Sequence, residues 1–201
     1  MKQKNTVRLV QLALLTAVIF ILANTPLGYI KLPLLQATTI HIPVIIGAVL
    51  LGPKAGAFLG GVFGLTSLIS NTMTPTLTSF LTSPFISGTP LSLIICFVPR
   101  ILVGVVAAYV FRALFQSLQK EGVALLAAGF LGSLTNTVLY LLGVFLFFGQ
   151  QYAQAQGVAY ETLVRVLMSI VGINGVPEAI AAALLVFAVA KPLRRGMRRQ
   201  K

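Results

Sequence analysis

Residues 36–71, QATTIHIPVIIGAVLLGPKAGAFLGGVFGLTSLISN, decide the fold of this chain. The stretch consists of two apolar arms joined by the turn sequence GPKAG at 52–56, with polar residues at the far end of each arm. The second arm carries Gly56, Gly60 and Gly64 at four-residue spacing, which places them on one face of a helix. Because packing rather than a hydrophobic force holds membrane helices together, small residues let a neighbouring helix approach closely. The stretch therefore predicts a membrane hairpin with a charged inner tip and a polar outer rim.

The composition is that of a polytopic membrane protein. Of the 201 residues, 57% are hydrophobic and only 9% are charged, and neither Asp nor Trp occurs, whereas about a quarter of the residues in a soluble domain are charged. We therefore expect residues 1–201 to form a single integral-membrane domain with a basic cytoplasmic tail at 191–201. The net charge of +12 lies mainly at the ends of the apolar segments, as is usual in membrane proteins. We expect contact with membrane lipid and no nucleic-acid binding.

The apolar runs predict an all-α membrane protein, a bundle of six transmembrane helices with both termini on one side. Twelve of the fifteen Lys and Arg residues fall on that side, and cationic residues concentrate on the cytoplasmic side of membranes. The termini are therefore predicted to be cytoplasmic. The N-terminal run could also be a cleaved signal peptide, but an uncleaved first helix gives a consistent orientation. The predicted helices cover 8–23, 42–51, 55–70, 91–111, 123–148 and 160–190. The predicted extracellular loops, which we expect to be ordered and to cap a pocket, cover 27–36, 71–90 and 149–159.

One arginine lies deep in a predicted helix. Arg100 is about nine residues into the fourth helix, or roughly 13 Å along it, and an unpaired charge at that depth costs at least about 2–3 kcal/mol. Arg100 is therefore either a fixed cation for an anionic ligand or a structural partner of Glu178, the only carboxylate in the second half of the sixth helix. The sequence leaves both interpretations open, and a ligand could share the arginine with the carboxylate.

The fifth and sixth predicted helices carry further polar side chains. Asn136 and Tyr140 are four residues apart and share a helix face, which is either part of a binding site or a packing seam. Asn174 and Glu178 have the same spacing around Pro177, which kinks the helix because proline cannot donate a backbone hydrogen bond. Broken helices are tolerated at membrane depth where they line an enclosed cavity. These residues predict a polar pocket in the outer half of the bundle.

The outer rim of the hairpin adds polar candidates to this pocket. Among them, His41 could equally be a residue that packs at the start of a helix. With one His and three acidic residues, and without a nucleotide-binding loop, an HExxH or a Gly-x-Ser-x-Gly motif, we expect no metal, no cofactor and no catalytic group. The complete predicted substrate site is Gln36, Thr39, His41, Asn71, Arg100, Asn136, Tyr140, Asn174 and Glu178.

The chain resembles the substrate-binding (S) components of energy-coupling factor (ECF) vitamin transporters. The resemblance rests on TIHIPVIIG at 39–47 with LGPKAG at 51–56, on Ala13 and Ala17 in the first helix, and on the six-helix layout. It covers most of the chain, although the last three helices match in layout more than in motif. It implies a multi-pass protein of the prokaryotic plasma membrane that captures a vitamin from outside and topples to release it. It also implies docking through Ala13 and Ala17 on a transmembrane coupling subunit driven by two ATPase subunits.

Within this family, the hairpin is most similar to that of the pantothenate components. Pantothenate carries a carboxylate, an amide and two hydroxyls, which suit Arg100, the asparagines and the threonines. S components for riboflavin, folate or hydroxymethylpyrimidine are the alternatives, and the absence of Trp disfavours a large flat ligand. The competing classes are a stand-alone secondary carrier or channel and an intramembrane enzyme. As an S component, the chain would leave ATP hydrolysis to its partner subunits.

Overall fold

Long helices make up most of the protein. The computed structural model describes residues 2–31 and 36–199. Short 3₁₀ turns lie at Ser79–Leu81 and Tyr160–Thr162, and a π-helical turn lies at Val171–Gly175. In chain order, the helices and strands are α1 (Lys2–Ala23), β1 (Tyr29–Lys31), β2 (Gln36–Thr38), α2 (His41–Leu51), α3 (Pro53–Met73), α4 (Pro84–Ser87), α5 (Leu91–Leu118), α6 (Glu121–Gln156), α7 (Leu163–Ile170) and α8 (Val176–Arg199).

Among residues 2–31 and 36–199, four helical segments are long and apolar enough to cross a membrane. They are Thr6–Ala23, Leu91–Leu118, Glu121–Gln156 and Tyr160–Met197. These segments agree with the predicted fold class, a bundle of membrane helices. The two arms of the hairpin, α2 and α3, fall outside this set, and α2 has 11 residues, fewer than the ~20 that a ~30 Å hydrocarbon core requires.

The α2–α3 hairpin forms as the sequence predicts, with its turn at Gly52. This residue has φ 94°, a conformation that favours glycine, and the following Pro53 is the first residue of α3. The glycine face of α3 packs directly on the backbone of α5. A Cβ added at Gly56 would lie 2.7 Å from the carbonyl oxygen of Gly104, and one added at Gly60 would collide with the carbonyl oxygen of Arg100. The small residues therefore position α5, and Arg100 with it, close against α3.

The prediction of an outer loop at 149–159 is wrong. Helix α6 continues to Gln156 and changes direction at Phe148, whose φ of −133° is not helical. Tyr152 and Ala153 are buried and pack in a cluster with Leu81 and Leu163. The polar residues of this segment suggested a loop, but its buried face stabilises another stretch of helix.

The predicted sixth helix is divided into two. Helix α7 is followed by the π-helical turn Val171–Gly175, and α8 begins immediately before Pro177. A π-helical turn contains one more residue per hydrogen-bonded ring than an α-helical turn, and such turns are common at functional sites. Helix α8 also continues beyond the predicted end at residue 190, through the basic residues to Arg199.

The other two predicted outer loops contain ordered structure. Strands β1 and β2 form an antiparallel hairpin in which Tyr29 pairs with Thr38. The Tyr29 hydroxyl lies 3.2 Å from Oγ1 of Thr66 in α3. The segment after α3 folds back over the bundle, and Ser79 Oγ donates a hydrogen bond to Asn71 Oδ1 at 3.2 Å. Both segments are thus attached to the same end of α3.

Candidate functional site

A cavity lies beneath the β1–β2 hairpin, where α3, α5, α6 and α8 converge. Its free volume is about 40 Å³, which can hold ordered water but is smaller than the ~300–1,000 Å³ of typical small-molecule sites. Most groups that face it are polar, and they include one guanidinium and one carboxylate. The lining residues are Tyr29, Thr38, Ser67, Asn71, Thr78, Thr82, Arg100, Asn136, Thr137, Tyr140 and Glu178.

Arg100 is the buried cation of this cavity, with 5% of its surface exposed. Its Nη1 donates a hydrogen bond to the carbonyl oxygen of Ile95 at 2.8 Å. That oxygen would accept from residue 99 in a regular helix, but Pro99 has no N–H to donate. The guanidinium carbon lies 4.7 Å from the ring centre of Tyr140 and 5.5 Å from that of Phe63. The proline therefore frees the acceptor that holds the arginine, and two aromatic rings support its charge.

Glu178 does not neutralise Arg100 by direct contact. Within residues 2–31 and 36–199, no ion pair joins Arg100 and Glu178, although both line the cavity. Oε1 of Glu178 instead accepts hydrogen bonds from the backbone N–H and the hydroxyl of Thr38, at 3.2 Å and 3.4 Å. The same oxygen lies 3.4 Å from Nδ1 of His41. The carboxylate therefore joins β2, α2 and α8, and the guanidinium is left to face the cavity.

His41 is buried behind this carboxylate. It is 1% exposed and is not among the residues that line the cavity. The Nδ1–H tautomer satisfies its contact with Glu178, and Nε2 has no hydrogen-bond partner in the described part of the chain. Its geometry is that of a residue that supports Glu178 from the start of α2.

Two buried polar atoms of the cavity residues have no partner. Within the parts of the chain that the structure describes, Nε of Arg100 and Oδ1 of Asn136 make no hydrogen bond. Buried polar groups are satisfied in the great majority of cases, so orphaned atoms at a cavity indicate water or a polar ligand. By contrast, Asn71 donates from Nδ2 to the carbonyl oxygen of Ser67 at 2.9 Å and accepts from Ser79. Asn71 thus both lines the cavity and anchors the segment that covers it.

The structure brings together Asn71, Arg100, Asn136, Tyr140 and Glu178, five of the nine predicted site residues. It places His41 behind Glu178, as described above. The remaining three predicted residues do not line the cavity or have side chains that the structure does not describe; they are Gln36, Thr39 and Asn174.

Thr39 and Gln36 are not placed at the cavity. Thr39 donates from Oγ1 to the carbonyl oxygen of Leu27 at 2.6 Å and joins two outer segments. Gln36 lies in β2, and its side chain is outside the described part of the structure.

The prediction that Asn174 shares a face with Glu178 is wrong. Asn174 lines a separate groove of about 380 Å³ together with Arg165 and Ser169. The prediction requires regular α-helical spacing between residues 174 and 178, but Asn174 lies in the π-helical turn Val171–Gly175. Because a π-helical turn has a wider spacing than an α-helix, four-residue spacing does not place its residues on one face with those of α8.

Sequence reasoning did not select six of the lining residues: Tyr29, Thr38, Ser67, Thr78, Thr82 and Thr137. Thr78 and Thr82 lie in the Thr/Ser/Pro-rich segment, whose composition indicated an outer loop without indicating which hydroxyls point inward. Burial raises the pKa of Tyr29 to about 12, so this side chain is a neutral hydroxyl at physiological pH. The cavity therefore presents more hydroxyl groups than the sequence indicated.

The small residues of α1 lie on a different surface. Ala13 and Ala17 are both exposed, and among residues 6–23 of α1, Ile19 is the fully buried member of the hydrophobic core. One side of α1, including Leu12, Leu15 and Leu22, packs against that core, whereas Ala13 and Ala17 lie on its exposed side.

Comparison with known proteins identifies the family. Residues 7–190 match the family model described as "ECF transporter, substrate-specific component". This chain belongs to that family. It is 40% identical over 167 residues to the pantothenic acid transporter PanT of Lactococcus lactis subsp. cremoris, covering 80% of this chain and 79% of the relative. It is 32% identical over 203 residues to the pantothenate transporter PanT of Leuconostoc mesenteroides subsp. mesenteroides, covering 96% and 95% of the two chains.

The resemblance read from the hairpin is thereby confirmed. The protein is a substrate-specific component of an ECF transporter, and its family consists of transporter components rather than enzymes. Family membership and the four apolar helices make it a membrane protein.

Proposed function

We propose that this ECF S component binds pantothenate in the cavity beneath the β1–β2 hairpin. The observation that carries the proposal is the buried guanidinium of Arg100, which lines the cavity and forms an ion pair with no carboxylate among the described residues. A buried cation of this kind is stabilised by an anionic ligand, and guanidinium groups bind carboxylates by two parallel hydrogen bonds. The names of the two pantothenate-transporting relatives support the same vitamin.

The remaining cavity residues suit the rest of pantothenate. We assign the amide and hydroxyl groups of the vitamin to Asn136, Asn71 and the cavity hydroxyls, because amides and hydroxyls can both donate and accept hydrogen bonds. Tyr140 supports the guanidinium through its ring. Glu178 and His41 act at the boundary between the cavity and the outer hairpin. No role in binding is assigned to Asn174 or Thr39.

Binding requires the outer segments to move. A free volume of about 40 Å³ does not accommodate a vitamin, so the cavity must widen when pantothenate enters. The segments that cover it are the β1–β2 hairpin and residues 74–90, which are held by side-chain hydrogen bonds such as that between Ser79 and Asn71. Surface segments of this type open more easily than packed helices.

For the topology, we propose six spans in a prokaryotic plasma membrane, formed by residues 1–201 as one domain. The termini are cytoplasmic, and the cavity opens toward the outside. The positions of the basic residues support this orientation. Arg8 donates to the carbonyl oxygen of Leu51 at 2.9 Å, and Arg194 pairs with Glu121, so both arginines lie at the end of the bundle away from the cavity.

We also propose that α1 docks on a transmembrane coupling subunit, which two ATPase subunits drive. The exposed Ala13 and Ala17 provide a smooth surface for this contact, since small residues let membrane helices pack closely. On this proposal the chain captures the vitamin, and its partners perform the ATP hydrolysis.

Calorimetry on the purified chain tests the ligand. We expect one pantothenate to bind per chain, with no effect of ATP. If the chain binds riboflavin, folate or hydroxymethylpyrimidine but not pantothenate, the assigned vitamin is wrong. If it binds none of these vitamins, the cavity is not a vitamin-binding site.

Uptake into liposomes tests the stand-alone alternative. Liposomes that contain only this chain should not accumulate pantothenate, because the S component depends on its partners for transport. Sustained accumulation without any partner would establish a self-sufficient carrier instead.

A further inference from the structure

A second cavity lies at the opposite end of α2 from the proposed pantothenate site. It has a volume of about 300 Å³ and is bounded by the end of α2, by α5 and by one residue of α8. His41 is the first residue of α2 and supports the pantothenate site, whereas Leu51 and Gly52 at the other end line this second cavity. Because an α-helix rises 1.5 Å per residue, roughly 15 Å of helix separates the two sites.

The lining of the second cavity is amphipathic. Apolar groups, including Phe111 and Phe115 with Ala108, form one part of it, and the polar part consists of Arg112, Gln116 and Arg194. A cavity of this kind matches a molecule with an anionic head and an apolar body.

The two arginines differ in how far their charge is satisfied. Arg194 donates from Nε to Glu121 at 2.6 Å and from Nη1 to the carbonyl oxygen of Val49 at 3.2 Å. Its guanidinium also stacks on Phe111, 4.4 Å from the ring centre. Arg112 is exposed, and no hydrogen bond or ion pair engages it among the residues that the structure describes. One cation of the cavity is thus fixed in place, and the other is free to meet an anion.

The surrounding charge is strongly positive. Arg8 caps the carbonyl oxygen of Leu51 at the same turn, and Lys54 follows it in the first turn of α3. Within the described residues, Glu121 is the acidic residue that pairs at this end, and Arg194 already occupies it. Basic pockets between membrane helices attract anionic lipid head groups. Guanidinium groups also match the geometry of phosphate oxygens.

We propose that this cavity binds the phosphate of an anionic glycerophospholipid. Arg112 and Arg194 hold the phosphate, Gln116 hydrogen-bonds to the head group, and the glycerol region lies against Phe111 and Phe115. The site is separate from the exposed face of α1 that carries Ala13 and Ala17, and the proposal does not depend on which vitamin the protein binds.

Thermal unfolding of the full-length protein in detergent micelles tests the proposal. We expect dioleoylphosphatidylglycerol to raise the unfolding midpoint of the wild-type chain, because a ligand that binds only the folded state stabilises it. Phosphatidylcholine with the same acyl chains should give little change, since its head group has no net charge. Inorganic phosphate at the same concentration and ionic strength should also give little change, because it lacks the apolar part.

Two variants locate the effect. Arg112→Gln should weaken the apparent affinity for phosphatidylglycerol roughly tenfold, as expected for loss of one charge-assisted hydrogen-bonding group. Gln116→Glu should abolish the shift, because it places a negative charge at the rim of the cavity. Arg165→Gln is the matched control, since it removes the same charge from the exposed surface of α7 and should leave the shift at its wild-type size.

Three results would overturn the proposal. The first is an undiminished phosphatidylglycerol shift in both cavity variants. The second is an equal shift with phosphatidylcholine or inorganic phosphate, which would indicate a general lipid effect or a free-anion site. The third is an unchanged lipid shift in Arg112→Gln accompanied by lost assembly with the coupling subunit, which would assign the cavity to a protein partner. Pantothenate binding, measured in parallel, should be the same in Arg112→Gln and wild type.

Discussion

Thr38 donates both its backbone N–H and its hydroxyl to the same oxygen of Glu178, across 140 positions of the chain. These bonds join the β1–β2 hairpin to α8 at the edge of the cavity. Because the hairpin covers the cavity, the hydrogen bonds to Glu178 hold the hairpin in its closed position. A hydrogen bond to a charged group contributes about 1.5–3 kcal/mol, which is enough to influence how often the hairpin opens.

Removal of the Glu178 carboxylate should accelerate ligand release. In Glu178→Ala, we expect the dissociation rate of pantothenate to rise at least roughly tenfold, because each ~1.4 kcal/mol lost is a factor of ten. Glu178→Gln is the control, since its amide oxygen can still accept from Thr38 and should keep most of the wild-type rate. Stopped-flow displacement of the bound vitamin measures both rates. Equal rates in the alanine variant and the wild type would show that the hairpin is held in some other way.

Arg100 should recognise the carboxylate of pantothenate. We expect Arg100→Ala to weaken pantothenate binding by about 2–5 kcal/mol, the usual loss when one partner of a buried charge pair is truncated. The alcohol analogue of pantothenate, which lacks the carboxylate, should bind the wild-type and variant chains with similar, weak affinity. Calorimetry with both ligands measures this difference, and Arg165→Ala is the control for loss of a surface charge. An unchanged affinity for pantothenate in Arg100→Ala would make Arg100 a structural residue.

Bulk on the exposed face of α1 should block docking without affecting ligand binding. We expect Ala13→Trp to prevent co-purification with the coupling subunit, while the affinity for pantothenate stays close to that of the wild type. Leu184→Trp is the matched control, because Leu184 is 59% exposed on α8 and lies on a different helix. If Ala13→Trp lost the ligand instead, α1 would be packed within the bundle at that position.

The close approach of α3 and α5 should make adjacent glycines respond in opposite ways. A Cβ at Gly60 would collide with the backbone of Arg100 and Ile101, whereas one at Gly61 would meet none of the described residues within 4 Å. We expect Gly60→Ala to lower the free energy of unfolding by about 1–3 kcal/mol and Gly61→Ala to raise it by about 0.5–1 kcal/mol. Thermal unfolding in detergent compares the two variants directly. A neutral Gly60→Ala would mean that the helices separate easily at this point.

Much of the site could be predicted because regular helices obey simple spacing. The positions of Asn136 and Tyr140 follow from a period of 3.6 residues, and Arg100 stands out as a charge within an apolar run. The hairpin turn also follows from sequence, since Gly followed by Pro marks the end of one helix and the start of the next. Where the backbone stays regular, the sequence is sufficient to place side chains on a common face.

The missed features depend on contacts between distant parts of the chain. Asn174 lies in a π-helical turn and lines a separate groove, whereas Pro177 indicates a break in the helix without specifying its geometry. The helical course of α6 beyond Phe148 is stabilised by burial of Tyr152 against α7 and the segment after α3. Likewise, the hydroxyls of the Thr/Ser/Pro-rich segment are oriented by bonds such as Ser79 to Asn71, which local sequence does not encode.

The mutual contact of Gly56 and Gly104 has a mechanical consequence. A Cβ on either glycine would strike the backbone of the other, so two main chains touch with no side chain between them. A contact between two main chains has no side-chain rotamers that could rearrange. We therefore infer that α3 and α5 move as one rigid unit while the vitamin is taken up and released. On this inference, we expect the covering segments and the break between α7 and α8 to be the parts that deform.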